Sequence, residues 1–153
     1  RAFLTRGAAT LRFNFRGVGG SAGSFDDGQG ETEDLMAVVR YARERFPGLP
    51  LWLGGFSFGS FVALRGQAAA APARLVTVAP PVGRWEFRDI EPPRCPWLVI
   101  QGDQDDLVDV RAVQHWLSSM PGSPRLDILA GAEHFFHGRL HDVKDAVTAF
   151  LGG

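Results

Sequence analysis

The stretch Gly54-Gly55-Phe56-Ser57-Phe58-Gly59-Ser60 (GGFSFGS, residues 54–60) joins an apolar run to a segment rich in small residues. It holds one hydroxyl between two phenylalanines and puts glycine two positions to either side of it. The run before it, LPLWLGGF (49–56), has the composition of a strand, and FGSFVALRGQ (58–67) has that of a helix. Gly55-Phe56-Ser57-Phe58-Gly59 is therefore G-x-S-x-G at a strand-to-helix turn, the context in which the motif carries chemistry. A turn that sharp forces the serine into a strained backbone conformation. Side chains at 55 and 59 would collide with the adjoining strand and helix, and glycine at both positions removes them. The expectation is a Ser57 hydroxyl lifted from the carboxyl edge of a sheet as a nucleophile. The amide of Phe58, in the first helical turn, is aimed at the same space as an oxyanion donor. A plain tight turn with an N-cap serine is the simpler alternative.

Working outward, five β-prone runs stand out: Leu11 to Phe15, Leu49 to Phe56, Arg74 to Ala79, Pro96 to Gly102 and Arg125 to Ala130. Several are nearly continuous apolar stretches, as expected of strands covered on both faces of a parallel sheet. Helical patterns lie between them. ETEDLMAVVRYARERF (31–46) repeats its apolar residues at three- and four-residue steps, with acids in its first turn and Pro47-Gly48 ending it. Residues 58–71, 110–120 and 140–151 give three further helices, and residues 2–4 read as the end of another, capped by Gly7. Alternating strands and helices predict one α/β domain over residues 1–153, with right-handed crossovers.

A nucleophilic serine needs a base, and the base needs an acid to orient it. After the fourth run comes Gly102-Asp103-Gln104-Asp105-Asp106-Leu107-Val108, and after the fifth comes Gly131-Ala132-Glu133-His134-Phe135-Phe136-His137. Both sit where parallel strands present their carboxyl ends, the edge at which open α/β sheets keep their sites. The chain order is Ser, acid, His, as in nucleophile-elbow hydrolases and unlike two families of serine protease. His134 lies close to the strand end and is preferred to His137, while His115 and His141 fall inside helices. Asp105 leads among the acids, with Asp103, Asp106 and Asp109 still open.

Bulk properties remove several function classes. Sixteen Lys and Arg against seventeen Asp and Glu leave a net charge of −1, so there is no basic field for nucleic acid. No apolar run approaches the roughly 18 residues of a membrane-spanning helix. A single cysteine, Cys95, excludes an internal disulfide and suggests a reducing cytoplasm. In RCPWLVI it reads as a small buried hydrophobe. No metal is expected, because the histidines have no ligand spacing with cysteine, and Asp26 and Asp27 lack the rhythm of a calcium loop. Gly17 to Ala22 matches G-x-G-x-x-A, a dinucleotide fingerprint, but runs on into GSFDDGQG where a helix should open. No cofactor is expected. The glycine-rich segment 16–30 reads instead as a functional loop beside Ser57. In it Arg16 either touches substrate or, as the preferred reading, anchors the loop. The short segment 80–94 leaves an open cleft with Trp85 and Phe87 as candidate walls.

At TLRFNFRGVGGSAGSFDDGQGETEDL, LWLGGFSFGS, GDQDDLVD and GAEHFFHGRL the chain resembles the α/β-hydrolase superfamily, in particular small lidless bacterial hydrolases of the dienelactone-hydrolase and CocE-like type. The resemblance implies a mostly parallel sheet with helices on both faces and a Ser57–His134–Asp105 triad. The family pattern G-x-x-D-x-x-V falls on Gly102, Asp105 and Val108. A small acyl substrate and a covalent acyl-enzyme are implied, with no metal or cofactor. A silent binding protein and a peptidase on the same fold are the alternatives. The family sheet has eight strands, of which LRFNF resembles the fourth. The first three, with the loop giving the second oxyanion amide, are then absent from this chain, and a gap is expected between LRFNF and LPLWLGGF. On that reading a longer parent is the enzyme and this segment alone is weakly active or unstable, since one lost oxyanion donor costs about 100- to 1000-fold in turnover.

Overall fold

Across residues 1–122 and 124–153, which the computed structural model describes, helices and strands alternate as the sequence pattern requires. In chain order they are α1 (Ala2–Thr5), α2 (Gln29–Arg45), β1 (Trp52–Phe56), α3 (Phe58–Ala70), β2 (Arg74–Val78), β3 (Trp97–Gly102), α4 (Val110–Ser118), β4 (Arg125–Leu129) and α5 (Leu140–Gly152). The strands form one parallel sheet in the order β1-β2-β3-β4.

Side-chain alternation along the strands divides the interior in two. Leu75, Trp97 and Val99 point to a core shared with Leu35 and Val39 of α2, Phe61, Val62 and Leu64 of α3, and Val113 and Leu117 of α4. Val76, Leu98 and Ile100 point the other way, against Val147 and Leu151 of α5 and Phe3 of α1. Every residue of β3 is buried, which explains the continuous apolar run Leu98-Val99-Ile100. Trp97 carries a polar group as well, and its indole N–H donates to Thr77 Oγ1 at 2.9 Å. Cys95 packs against the first core, and burial pushes its thiol pKa up, as befits an inert packing residue.

Among the described residues one predicted strand is absent. Leu11–Phe15 carries no strand pairing, and the sheet has four strands where the sequence suggested five. The composition suits a strand, but a strand persists only where a neighbour satisfies its amides and carbonyls. No such neighbour stands beside it among the described residues. Between this segment and β1 lies a cavity of about 350 Å³ lined by Leu11, Phe13, Val39, Phe46 and Leu53. The outer edge of β1 is thus open, in the place where the gap was expected.

Helix α2 starts two residues earlier than the acidic pattern suggested. Glu31 is 1% exposed, and its carboxylate accepts from the amides of Asp26 and Gly28 at 2.8 Å each. It closes the preceding loop onto the helix N-terminus, where a negative charge is favoured.

Candidate active site

The turn from β1 into α3 puts Ser57 at φ 50° and ψ −122°, a region a non-glycine residue rarely occupies. Its amide is tied to the carbonyl of Val78 at 2.8 Å, and its carbonyl accepts from the amide and hydroxyl of Ser60. These bonds hold a conformation that costs of order 1–3 kcal/mol. The two flanking glycines have different reasons. A Cβ on Gly55 would come within 2.2 Å of the Gly59 carbonyl oxygen, so the close approach of strand and helix requires glycine there. A Cβ on Gly59 would meet open space, which corrects the expectation of a collision at that position. It is the backbone of Gly59 that crowds Gly55.

The loops after β3 and β4 converge on this turn. His134 Nε2 lies 3.0 Å from Ser57 Oγ, and His134 Nδ1 lies 2.8 Å from Asp105 Oδ2. The ionised carboxylate only accepts, so Nδ1 carries the proton and the Nε2 lone pair accepts from the serine O–H. Both partners are withdrawn from water, with side-chain exposures of 3% for His134 and 0% for Asp105. The amides of Leu107 and Val108 donate to Asp105 Oδ1 at 2.9 and 2.8 Å, fixing the carboxylate plane.

The other candidates are occupied differently. Asp103 accepts from the Gly131 amide, Asp109 caps α4 through the Arg111 amide, and Asp106 is exposed. His137 is solvent-facing and paired with Glu133 at 2.9 Å. The amides of His137 and Phe135 hold the Glu133 carboxyl below its usual range. His115 and His141 are exposed on their helices.

The two phenylalanines beside Ser57 serve opposite sides. Phe56 is 42% exposed and lies 5.2 Å, ring to ring, from His134 and 6.1 Å from Phe135. Phe58 meets Phe15, Phe25, Phe61 and Trp85. Trp85 stacks on Phe61 at 5.9 Å and reaches the rim through Phe58. The Phe58 amide is at the first position of α3, where it has no intrahelical acceptor. Arg16 Nε and Nη2 both donate to Asp34 Oδ1, at 3.1 and 2.8 Å, Nε also reaches Oδ2 at 3.2 Å, and Nη2 also reaches Glu33. Arg16 holds Asp34 below the usual carboxylate range, so its contacts are those of the loop anchor. Among the described residues no group of three or more His, Cys, Asp or Glu side chains is placed to hold a metal ion.

One residue of the site escaped the sequence reading. Gln101 in β3 is fully buried, and its Nε2 lies 2.9 Å from Asp105 Oδ2. The available signal was a polar amide ending an otherwise apolar strand.

The comparisons with known proteins place the chain in a family and a fold. The family model described as serine aminopeptidase, S33, matches residues 1–93. An uncharacterized protein of Rickettsia prowazekii (strain Madrid E) is 32% identical over 99% of this chain and 68% of its own length. Among solved structures, an α/β serine hydrolase without lid from Xanthomonas campestris superposes with a TM-score of 0.88 at 50% identity, over 92% of this chain and 64% of that one. An α-β serine hydrolase homologue from Coxiella burnetii gives 0.86 at 39% identity, over 90% and 66%. The chain therefore spans slightly less than two thirds of the length of these two solved relatives.

Proposed function

This chain belongs to the serine aminopeptidase S33 family of α/β hydrolases, and from that premise we propose that it hydrolyses carboxylic esters through a Ser57–His134–Asp105 triad. The observation that carries this reading is the hydrogen-bonded row of 3.0 and 2.8 Å from Ser57 Oγ through the imidazole to Asp105. Ser57 Oγ attacks the carbonyl carbon while His134 Nε2 takes the hydroxyl proton. The charge that develops on the carbonyl oxygen is met by the Phe58 amide, which contributes one oxyanion donor. Collapse of the tetrahedral adduct breaks the bond to the leaving group, which departs with the proton from His134. Water then enters, gives a proton to the same imidazole and releases the acid, returning the proton to Ser57. Asp105 keeps Nδ1 protonated throughout and stabilises the imidazolium. Phe56, Phe58 and Trp85 supply an apolar rim for the acyl or alcohol part, while Arg16 anchors its loop.

A peptidase is the second reading, favoured by the description of the matching family. Stopped-flow hydrolysis of p-nitrophenyl esters and aminoacyl p-nitroanilides separates the two. The ester reading expects a burst of nitrophenol matching the enzyme concentration, slow anilide cleavage, and a loss of about 10⁴ in kcat for Asp105→Asn. Efficient anilide cleavage selects the peptidase, and absence of turnover on both, by this segment and by an N-terminally longer form, sinks the hydrolase reading.

A further inference from the structure

The buried amide of Gln101 has an arrangement that packing alone does not explain. Its Nε2 faces three acceptors: Asp105 Oδ2 at 2.9 Å, the Gly102 carbonyl at 3.3 Å and the Val108 carbonyl at 3.4 Å. A flipped amide would turn an oxygen toward all three, so the nitrogen must be the atom that faces them. That choice leaves Gln101 Oε1 buried with no partner. An orphaned carbonyl is disfavoured in a strand that is otherwise solidly packed, and an apolar residue of equal size would avoid it. The compensation lies at the carboxylate. Asp105 Oδ2 accepts from both Gln101 and His134, while Oδ1 takes the two loop amides, which fills all four lone-pair sites.

We propose that Gln101 is a positioning residue for the hydrolytic reaction: it pins Asp105 Oδ2 in line with His134 Nδ1 and so keeps the imidazole aimed at Ser57. This rests on the hydrolase reading above. Without the amide, the carboxylate has one fewer restraint on the oxygen that orients the base. Gln101 touches neither substrate nor the reacting atoms, and its effect passes through Asp105.

The test is a double-mutant cycle on ester hydrolysis. Gln101→Met keeps the size and removes the donor. It should lower kcat about ten- to a hundredfold, the effect of losing one charge-assisted hydrogen bond from the transition-state assembly, with KM unchanged. In an Asp105→Asn background the same substitution should cost nothing further, because the group it orients has gone. The downfield proton resonance of the His134–Asp105 hydrogen bond should shift in the single variant. If Gln101→Met does not fold, Gln101→Asn, whose amide stops one methylene short of Asp105, is read with the same expectations. Unchanged kcat overturns the proposal. So does a kcat loss that persists in full beside Asp105→Asn, which would assign Gln101 a structural role in closing the loop between Gly102 and Val108. A wild-type protein that turns over no ester removes the hydrolase reading and this inference with it, whereas an active wild type matched by Gln101→Met removes the inference alone.

Discussion

The carboxyl rim above β1 to β4 and the outer edge of β1 end in opposite states. At the rim, Ser57, His134 and Asp105 come from three loops; backbone bonds fix Ser57 through Val78 and Asp105 through Leu107 and Val108, and His134 is held by the Asp105 carboxylate. At the edge, Leu11–Phe15 has the apolar content of a strand and no partner, and an apolar cavity separates it from β1. Apolar composition is thus enough to bring a segment near the sheet, but only paired amides hold it in register. The rim is held by hydrogen bonding, whereas Leu11 and Phe13 at the edge are 42% and 37% exposed and take no part in a strand.

The largest expected effect breaks the rim chemically while strengthening it physically. Ser57→Gly should reduce ester turnover by about 10⁶ yet raise the melting temperature by several degrees, since glycine relieves the positive-φ strain of order 1–3 kcal/mol. Thermal melts and initial rates check both halves, and a lower melting temperature would contradict the strain.

Next in size is a pair that sharpens the contrast between the flanking glycines. Gly55→Ala should cost about 3 kcal/mol or more in denaturant titration, because its Cβ falls 2.2 Å from a backbone oxygen. Gly59→Ala should be neutral or stabilise by up to about 1 kcal/mol, as alanine favours the helix. Equal costs would mean that the elbow is crowded from both sides.

Amide hydrogen exchange reads the comparison without mutation. The amides of Leu98 to Gln101, in a strand bonded on both sides, should exchange at the slowest rates, and those of residues 11–15 at rates near an open chain. Comparable protection in the two segments would show that the edge is paired.

The smallest effect concerns the Arg16 anchor. Asp34 is held below the usual carboxylate range by its bond to Arg16. Its stabilising contribution is therefore complete above the unfolded value of about 4 and is lost as pH falls through the lower folded value. Wild type and Asp34→Asn should differ modestly in melting temperature near neutral pH and converge in acid.

The legible parts of this molecule were those whose chemistry dictates local spacing. G-x-S-x-G singled out Ser57, and the loops after β3 and β4 singled out Asp105 and His134, because each needs its own strand end. The burial of β3 on both faces was visible as the continuous apolar run from Trp97 to Ile100. Three things were not legible. Residues 11–15 looked like a strand because pairing depends on a distant neighbour. Gly59 looked sterically required because the sequence does not say whose backbone approaches whose Cβ. Gln101 looked like part of a core strand because its carboxylate partner becomes a neighbour only when the loop folds back over the end of β3.

The account stands or falls on the reactivity of one hydroxyl. Treatment with a fluorophosphonate followed by peptide mass analysis should give a single adduct on the peptide carrying Ser57. The adduct should disappear in His134→Ala, because in the proposed triad the imidazole 3.0 Å away activates the oxygen. An adduct on another residue, or labelling of Ser57 at an undiminished rate without His134, would contradict it.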